Sequence, residues 1–415
     1  MVREVPVQDS HDRPGSIGRF AEVLRTPDSW RFTSVGFVAR LPLSMIGLGI
    51  VFLVTASGGS YTQAGVLTAT FSLAAAFIGP FASRLLDRYG QHRILPWLAA
   101  GQVTGLLLFV AGVNQSWPTP VLFALATFAG GVAPNIGSLV RARWIHLVGG
   151  KQSLQTALAW ESILDEVIFI VGPPLATVLS VQVAAAAPLV ISAVLAGAGG
   201  LALSRMRATD PGPQQNATRA RGHALMLPGM AMLTLVMMLL GSMFGALEIS
   251  AVAFAQDSGV PAAAGLILSL YALGSLMGGV ALGSMPPPAS QSRRLRNTAA
   301  ILAVVSFPLW LVDNVWLLAG LAFGSGLAVA PVLITAIALV ERLVPTTRIT
   351  EALTVTNSGL AVGVSVSAAF SGSLIDQFSP SAGFVWVAVS AALAYVAVLI
   401  TAPFLARRES AGAST

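Results

Sequence analysis

"RMRATDPGPQQNATRARGH", Arg205 to His223, is a polar, basic stretch set between two long apolar territories. Its composition is that of a linker. Before it, apolar runs near the roughly 20 residues needed to cross a bilayer recur at about 33–56, 63–83, 94–113, 119–140, 153–180 and 184–203. After it they recur at about 226–255, 260–283, 298–313, 314–341, 351–376 and 381–405. The predicted fold class is therefore an all-α polytopic membrane protein of about twelve transmembrane helices, divided six and six. The expected domains are an N-terminal segment 1–32, a six-helix bundle 33–204, a linker 205–225, a second bundle 226–405 and a tail 406–415.

Composition agrees. The 415 residues are 55% hydrophobic and only 10% charged, whereas a soluble domain carries about 25% charge. There is no cysteine, which excludes disulfides, thiolate chemistry and cysteine-ligated metal. The net charge of +6 would suggest nucleic acid in a soluble protein. Here its distribution explains it. Arg84, Arg88 and Arg93 lie between the second and third spans, Arg141, Arg143 and Lys151 between the fourth and fifth, and Arg205, Arg207, Arg219 and Arg221 in the central gap. Arg293, Arg294 and Arg296 follow the eighth span, Arg342 and Arg348 the tenth, and Arg407 and Arg408 the twelfth. The loops between, such as "SGGSYT" and "NQSWP", carry no Lys or Arg. This positive-inside pattern places both termini in the cytoplasm and the chain in the cell membrane, with no nucleic-acid partner. The N-terminus lacks a signal-peptide core. Ile17, Phe20, Val23 and Leu24 recur at helical spacing, which suits either a helix on the inner leaflet or a plain tail.

The halves resemble each other. Ala64-Gly65 maps onto Ala264-Gly265 and Gly79 onto Gly279 at one offset, and Ala133-Pro134 onto Ala330-Pro331 at nearly the same one. Duplicated halves around a cytoplasmic linker are a layout of alternating-access transporters.

Charges inside the spans are functional candidates. They are Arg40 on the first span, Glu161, Asp165 and Glu166 on the fifth, and Glu248 on the seventh. Arg40 lies roughly 10 Å in from the basic end, Glu161 roughly 12 Å and Asp165 roughly 18 Å. Glu161 and Asp165 share a helix face, and Glu166 points about 100° away. Arg40 is expected to neutralise one of the first two, leaving surplus acid. The cluster then reads either as a structural ion pair or as a site where a proton and a substrate compete, since an unpaired carboxylate in low dielectric can carry a proton. Asp165 is the expected proton carrier. Asn135, Asn357 and Tyr271 are possible cavity groups. All four histidines fall outside the spans, so no intramembrane metal site is expected.

"SRLLDRYGQHRIL", Ser83 to Leu95, resembles the signature loop of the major facilitator superfamily, Gly-x-Leu-Ala-Asp-Arg-x-Gly-Arg-Lys/Arg followed by Leu. Leu85, Asp87, Arg88, Gly90 and Leu95 match, while Ser83, Gln91 and His92 depart. The resemblance implies two six-helix bundles, and a gating role for Asp87 and Arg88 with Gly90 permitting the turn. Asp87 would face the start of the eleventh span near Thr350-Glu351 and close the cytoplasmic side. "GPP" at Gly172 to Pro174 resembles the Gly-Pro helix kink common in the family's proton-coupled antiporters. Ala176 and Thr177 replace glycines usual there, and the expected fourth span lacks the arginine many proton-driven exporters carry.

These features imply a secondary-active transporter, not an enzyme, with no cofactor and the proton gradient as energy source. The expected activity is efflux of a moderately apolar or cationic small molecule, by a monomer in the bilayer. Solute import and, further off, an integral membrane enzyme using Glu161 or Asp165 as base are the other readings. The chain has no nucleotide loop and no nucleophile–His pair.

Overall fold

The computed structural model describes residues 23–148, 151–213, 229–286, 288, 290–344 and 348–412. Most of the N-terminal stretch read as either a helix or a plain tail, and the second half of the linker, lie outside them. The described residues form helices and no strand. Eleven elements are long and apolar enough to cross a membrane, so the chain is a multi-pass membrane protein.

Proline decides where these spans are continuous. The first runs Ser29–Arg40 and then Pro42–Ala56. Pro42 has no N–H to continue a helix but suits the start of one. The second span breaks at Ile78, before Gly79-Pro80, into Tyr61–Phe77 and Gly79–Tyr89. The third is Gln91–Asn114. The fourth breaks at Ala133-Pro134 into Thr119–Gly131 and Ile136–Leu147. It reaches further than expected and carries Arg141 and Arg143, which the loop pattern had assigned to a connection. The fifth, Lys151–Gln182, is helical through Pro173 and Pro174. The sixth is Ala187–Arg205.

In the second half the spans are Met230–Asp257, Ala263–Ser284, Gln291–Ser306, Val315–Leu343, Ile349–Gln377 and Ala382–Gly412. The ninth corrects its expected range of 298–313. Ser290 caps it, its hydroxyl accepting from the Arg293 amide at 3.3 Å, so the helix starts within the arginine run. It gives way at Phe307-Pro308 to a 3₁₀ turn, Phe307–Leu311. The twelfth continues past residue 405 through Arg407 and Arg408.

Basic residues gather at one end of the bundle, called here the basic end. At the opposite end the halves meet through the second and eleventh spans and through the fifth and eighth. Two glycines related by the sequence offset do equivalent work there. A Cβ on Gly65 would strike the backbone of Ala368 on the eleventh span, and one on Gly265 would meet the Pro174 backbone on the fifth at 2.7 Å. Small residues permit such close approach. Ala133-Pro134 and Ala330-Pro331 differ, since Pro331 sits inside an unbroken helix.

Candidate functional site

Breaking the first span places Arg40 on its last helical turn, where the residue is buried. Its Nε donates to the Gly36 carbonyl at 3.0 Å. The guanidinium then bridges the fifth span, with Nη2 2.6 Å from Glu161 Oε2 and Nη1 2.8 Å from Asp165 Oδ1. This corrects the expectation that Arg40 satisfies only one acid. The i,i+4 spacing puts both carboxylates on one face, and a planar fork can reach both.

The break in the fourth span supplies a second cation. Asn135 Oδ1 accepts from the Ser138 amide at 3.1 Å, capping the helical segment that carries Arg141. Arg141 Nη2 donates to Asp165 Oδ2. Two arginines therefore face two carboxylates, and the view of the fourth span as uncharged is corrected. A Cβ on Gly137 would lie 3.0 Å from Arg141 Nη1 and 3.7 Å from Arg40 Cδ, so a larger residue would crowd both side chains. Glu161 Oε1 accepts from Trp144 Nε1 at 2.8 Å and from the Thr33 hydroxyl at 3.3 Å. Trp144 is itself buried, edge-on to Phe32 at 5.0 Å. The Glu161 side chain has no exposure, and its bonds to Arg40, Trp144 and Thr33 satisfy a charge that would otherwise be costly to bury.

Sequence reasoning missed Arg141, Trp144 and Thr33. The signal for Arg141 was Pro134, which restarts the helix seven residues earlier and carries it inward.

Surplus acid lies elsewhere. Glu166 is half-buried and, among the described residues, forms no hydrogen bond or ion pair. It shares a helix face with Ile170, Pro173 and Thr177. That face meets the eighth span: Ser269 Oγ donates to the Ile170 carbonyl at 2.5 Å, and Gly265 packs on Pro173, Pro174 and Thr177. Pro174 removes the N–H that would have served Ile170, so the other half satisfies that carbonyl. Gly172 faces the first span, where a Cβ would collide with Ser44.

Glu248 is also half-buried and unpaired among the described residues. Its carboxylate lies against Gly47 of the first span, occupying the space a Cβ there would fill. Tyr271 is buried, its hydroxyl has no partner among the described residues, and its ring stands edge-on to Phe244 at 6.0 Å. Asn357 is exposed. Asp87 and Arg88 are exposed too. Arg88 stacks on Tyr89 at 5.2 Å, while Asp87 has no ion pair among the described residues. Among the described residues Asp87 forms no hydrogen bond or ion pair with the eleventh span, and the side chain of Thr350, at the expected point of contact, lies outside them. Gly90 adopts φ +89°, the turn that its glycine permits.

A family model, the Major Facilitator Superfamily, matches residues 32–312. The chain belongs to the Major Facilitator Superfamily. Solved transporters of similar fold include the nucleoside transporter NupG, at 14% identity and TM-score 0.69, covering 90% of this chain and 99% of that one. A bacterial homologue of the iron transporter ferroportin, in an inward-facing state, shows 14% identity and TM-score 0.67 over 90% and 99% of the two chains. A bacterial homologue of the lysosomal transporter Spinster shows 14% identity and TM-score 0.62 over 96% and 97%. At such identities the likeness is one of fold. No curated protein sequence matches significantly. Membership of the superfamily indicates a transporter rather than an enzyme.

Proposed function

We propose that the chain is a proton-coupled secondary transporter that exports a moderately apolar or cationic small molecule. The two halves would rock about a central site in alternating access, with the basic end in the cytoplasm. One observation carries this reading: Glu166 and Glu248 belong to opposite halves and have no countercharge among the described residues, Glu248 lying against Gly47 of the other half and Glu166 sharing the helix face that meets the eighth span. Intramembrane carboxylates of this kind are where a proton or a cation can exchange. The proton role first given to Asp165 moves to these two, because Asp165 is held by Arg40 and Arg141.

The meeting of the halves at the non-basic end, with Asp87 exposed at the other, suits the inward-facing member of the cycle. Transport in everted vesicles, with and without an uncoupler, tests the reading. Glu248→Gln and Glu166→Gln should fold and bind substrate yet lose concentrative transport. Transport indifferent to the uncoupler would exclude proton coupling. Movement of substrate only out of everted vesicles would make the protein an importer.

A further inference from the structure

Away from the central interface, the second half contains a lateral cavity of about 590 Å³. Its origin is architectural. The eighth and ninth spans both pack on the tenth but barely touch one another. The gap between them is floored by Leu327 and Pro331 of the tenth and walled by Ala281, Leu282 and Met285 of the eighth and Ile301 of the ninth. In the first half, the corresponding second segment of the second span packs against the third.

The cavity is amphipathic in a definite direction. Its lining is apolar toward Ile301, and the helix surface beyond stays apolar and exposed at Val304 and Val280. In a spanning helix, only lipid chains solvate such residues. About 10 Å along the ninth span from Ile301, at the basic end, the lining becomes Arg293, Arg294 and Asn297. Arg294 Nη2 reaches the Pro286 carbonyl at 3.4 Å, leaving the rest of its five-donor fork for a ligand. The Asn297 side chain is exposed and makes no hydrogen bond among the described residues.

We propose that this groove binds one anionic phospholipid, its phosphate held by Arg293, Arg294 and Asn297 and an acyl chain lying between the eighth and ninth spans. Charge complementarity selects the headgroup, because two guanidiniums with no facing carboxylate in the lining favour an anion. The lateral opening selects a membrane lipid over a substrate in transit. The volume is in the range of pockets that enclose a drug-sized ligand, enough for a headgroup and part of a chain.

The test is native mass spectrometry of the full chain, titrated with phosphatidylglycerol or phosphatidylcholine. One phosphatidylglycerol should bind about ten-fold or more tightly than phosphatidylcholine. Arg293→Gln with Arg294→Gln should abolish that preference. Arg296→Gln, outside the lining, should preserve it. Ala281→Trp, which fills the groove with the arginines intact, should remove the tight site. Should the double variant fail to fold, Arg293→Gln alone, at an exposed position, carries the test. Equal loss with Arg296→Gln would reduce the effect to diffuse surface charge and overturn the proposal. So would retention of tight binding in Ala281→Trp. Full competition by inorganic phosphate would make this a free-anion site and overturn it as well.

Discussion

Asp376 caps the second span from the opposite half of the molecule. Its Oδ1 accepts from the Tyr61 amide at 3.0 Å, and its Oδ2 from the Thr62 amide at 2.7 Å and the Thr62 hydroxyl at 2.6 Å. Tyr61 Oη then donates to Gln256 Oε1 at 2.5 Å. A carboxylate at a helix N-terminus meets both unsatisfied amides and the positive end of the helix dipole. It is a polar tie between the halves at the non-basic end, beside the helix packing there.

Asp376→Ala should release it. Hydrogen bonds to a charged acceptor contribute about 1.5–3 kcal/mol each, so the population open at this end should rise at least ten-fold. The chain has no cysteine, and a single cysteine replacing buried Thr68 on the second span gives the readout. Its labelling rate should increase in Asp376→Ala. An unchanged rate would mean that packing of the helices, not the cap, sets the closed state.

The bridged cluster predicts an order of damage. Arg40→Ala strands Glu161 and half of Asp165, at a cost of about 3–5 kcal/mol, and should abolish or sharply reduce folded yield. Glu161→Gln leaves Arg40 its bond to Asp165 and should be milder. Arg40→Ala with Glu161→Gln should recover only part of the yield, since Asp165 keeps Arg141 alone. Thermal unfolding in detergent ranks the variants, and full recovery in the double variant would show that the Asp165 bond contributes nothing.

Gly172 should not tolerate a methyl group. A Cβ there collides with Ser44 Oγ and lies 2.9 Å from Ser44 Cβ, and Ser44 Oγ also donates to the Ile168 carbonyl at 3.0 Å. Overpacking of this kind costs about 1–3 kcal/mol. Gly172→Ala should lower the melting temperature, and adding Ser44→Ala should restore part of it. No loss in the single variant would mean that the first and fifth spans separate freely at this level.

A pH prediction comes from the start of the linker. Asp210 Oδ2 accepts from the His92 amide at 3.1 Å and faces His92 Nδ1 at 3.0 Å, while Oδ1 accepts from the Gly212 amide at 2.9 Å. Burial alone would raise the pKa of this carboxyl, but the bonds from Gly212 and His92 outweigh it and hold it below its ordinary 3.8. A depressed folded-state pKa stabilises above the unfolded value, and that stabilisation disappears as the pH falls through the folded one. Asp210→Asn should therefore be less stable by about 1–2 kcal/mol at neutral pH. The gap should hold down to about pH 4 and close below it. A gap of constant size at about pH 3 would place the effect elsewhere than in this ionisation.

The sequence by itself determined that the chain is helical and multi-pass, where most of its spans fall, and the family, because these follow from bilayer thickness and a short loop motif. It also named the intramembrane ionisable groups, since each is conspicuous in an apolar run. Only the tertiary structure decided which charges meet. Arg141 looked like a loop residue until the break at Pro134 carried its helix inward to Asp165. Nothing in the sequence singled out Asp376 or Gln256, which meet Tyr61 and Thr62 only where the two halves pack. Glu166, one residue beyond Asp165, is left unpaired among the described residues because a rotation of about 100° turns it away from both arginines and onto the face that meets the eighth span. Span and topology are properties of one segment and its solvent, whereas a countercharge belongs to another helix more than twenty residues away in sequence, and only packing brings it within hydrogen-bond reach.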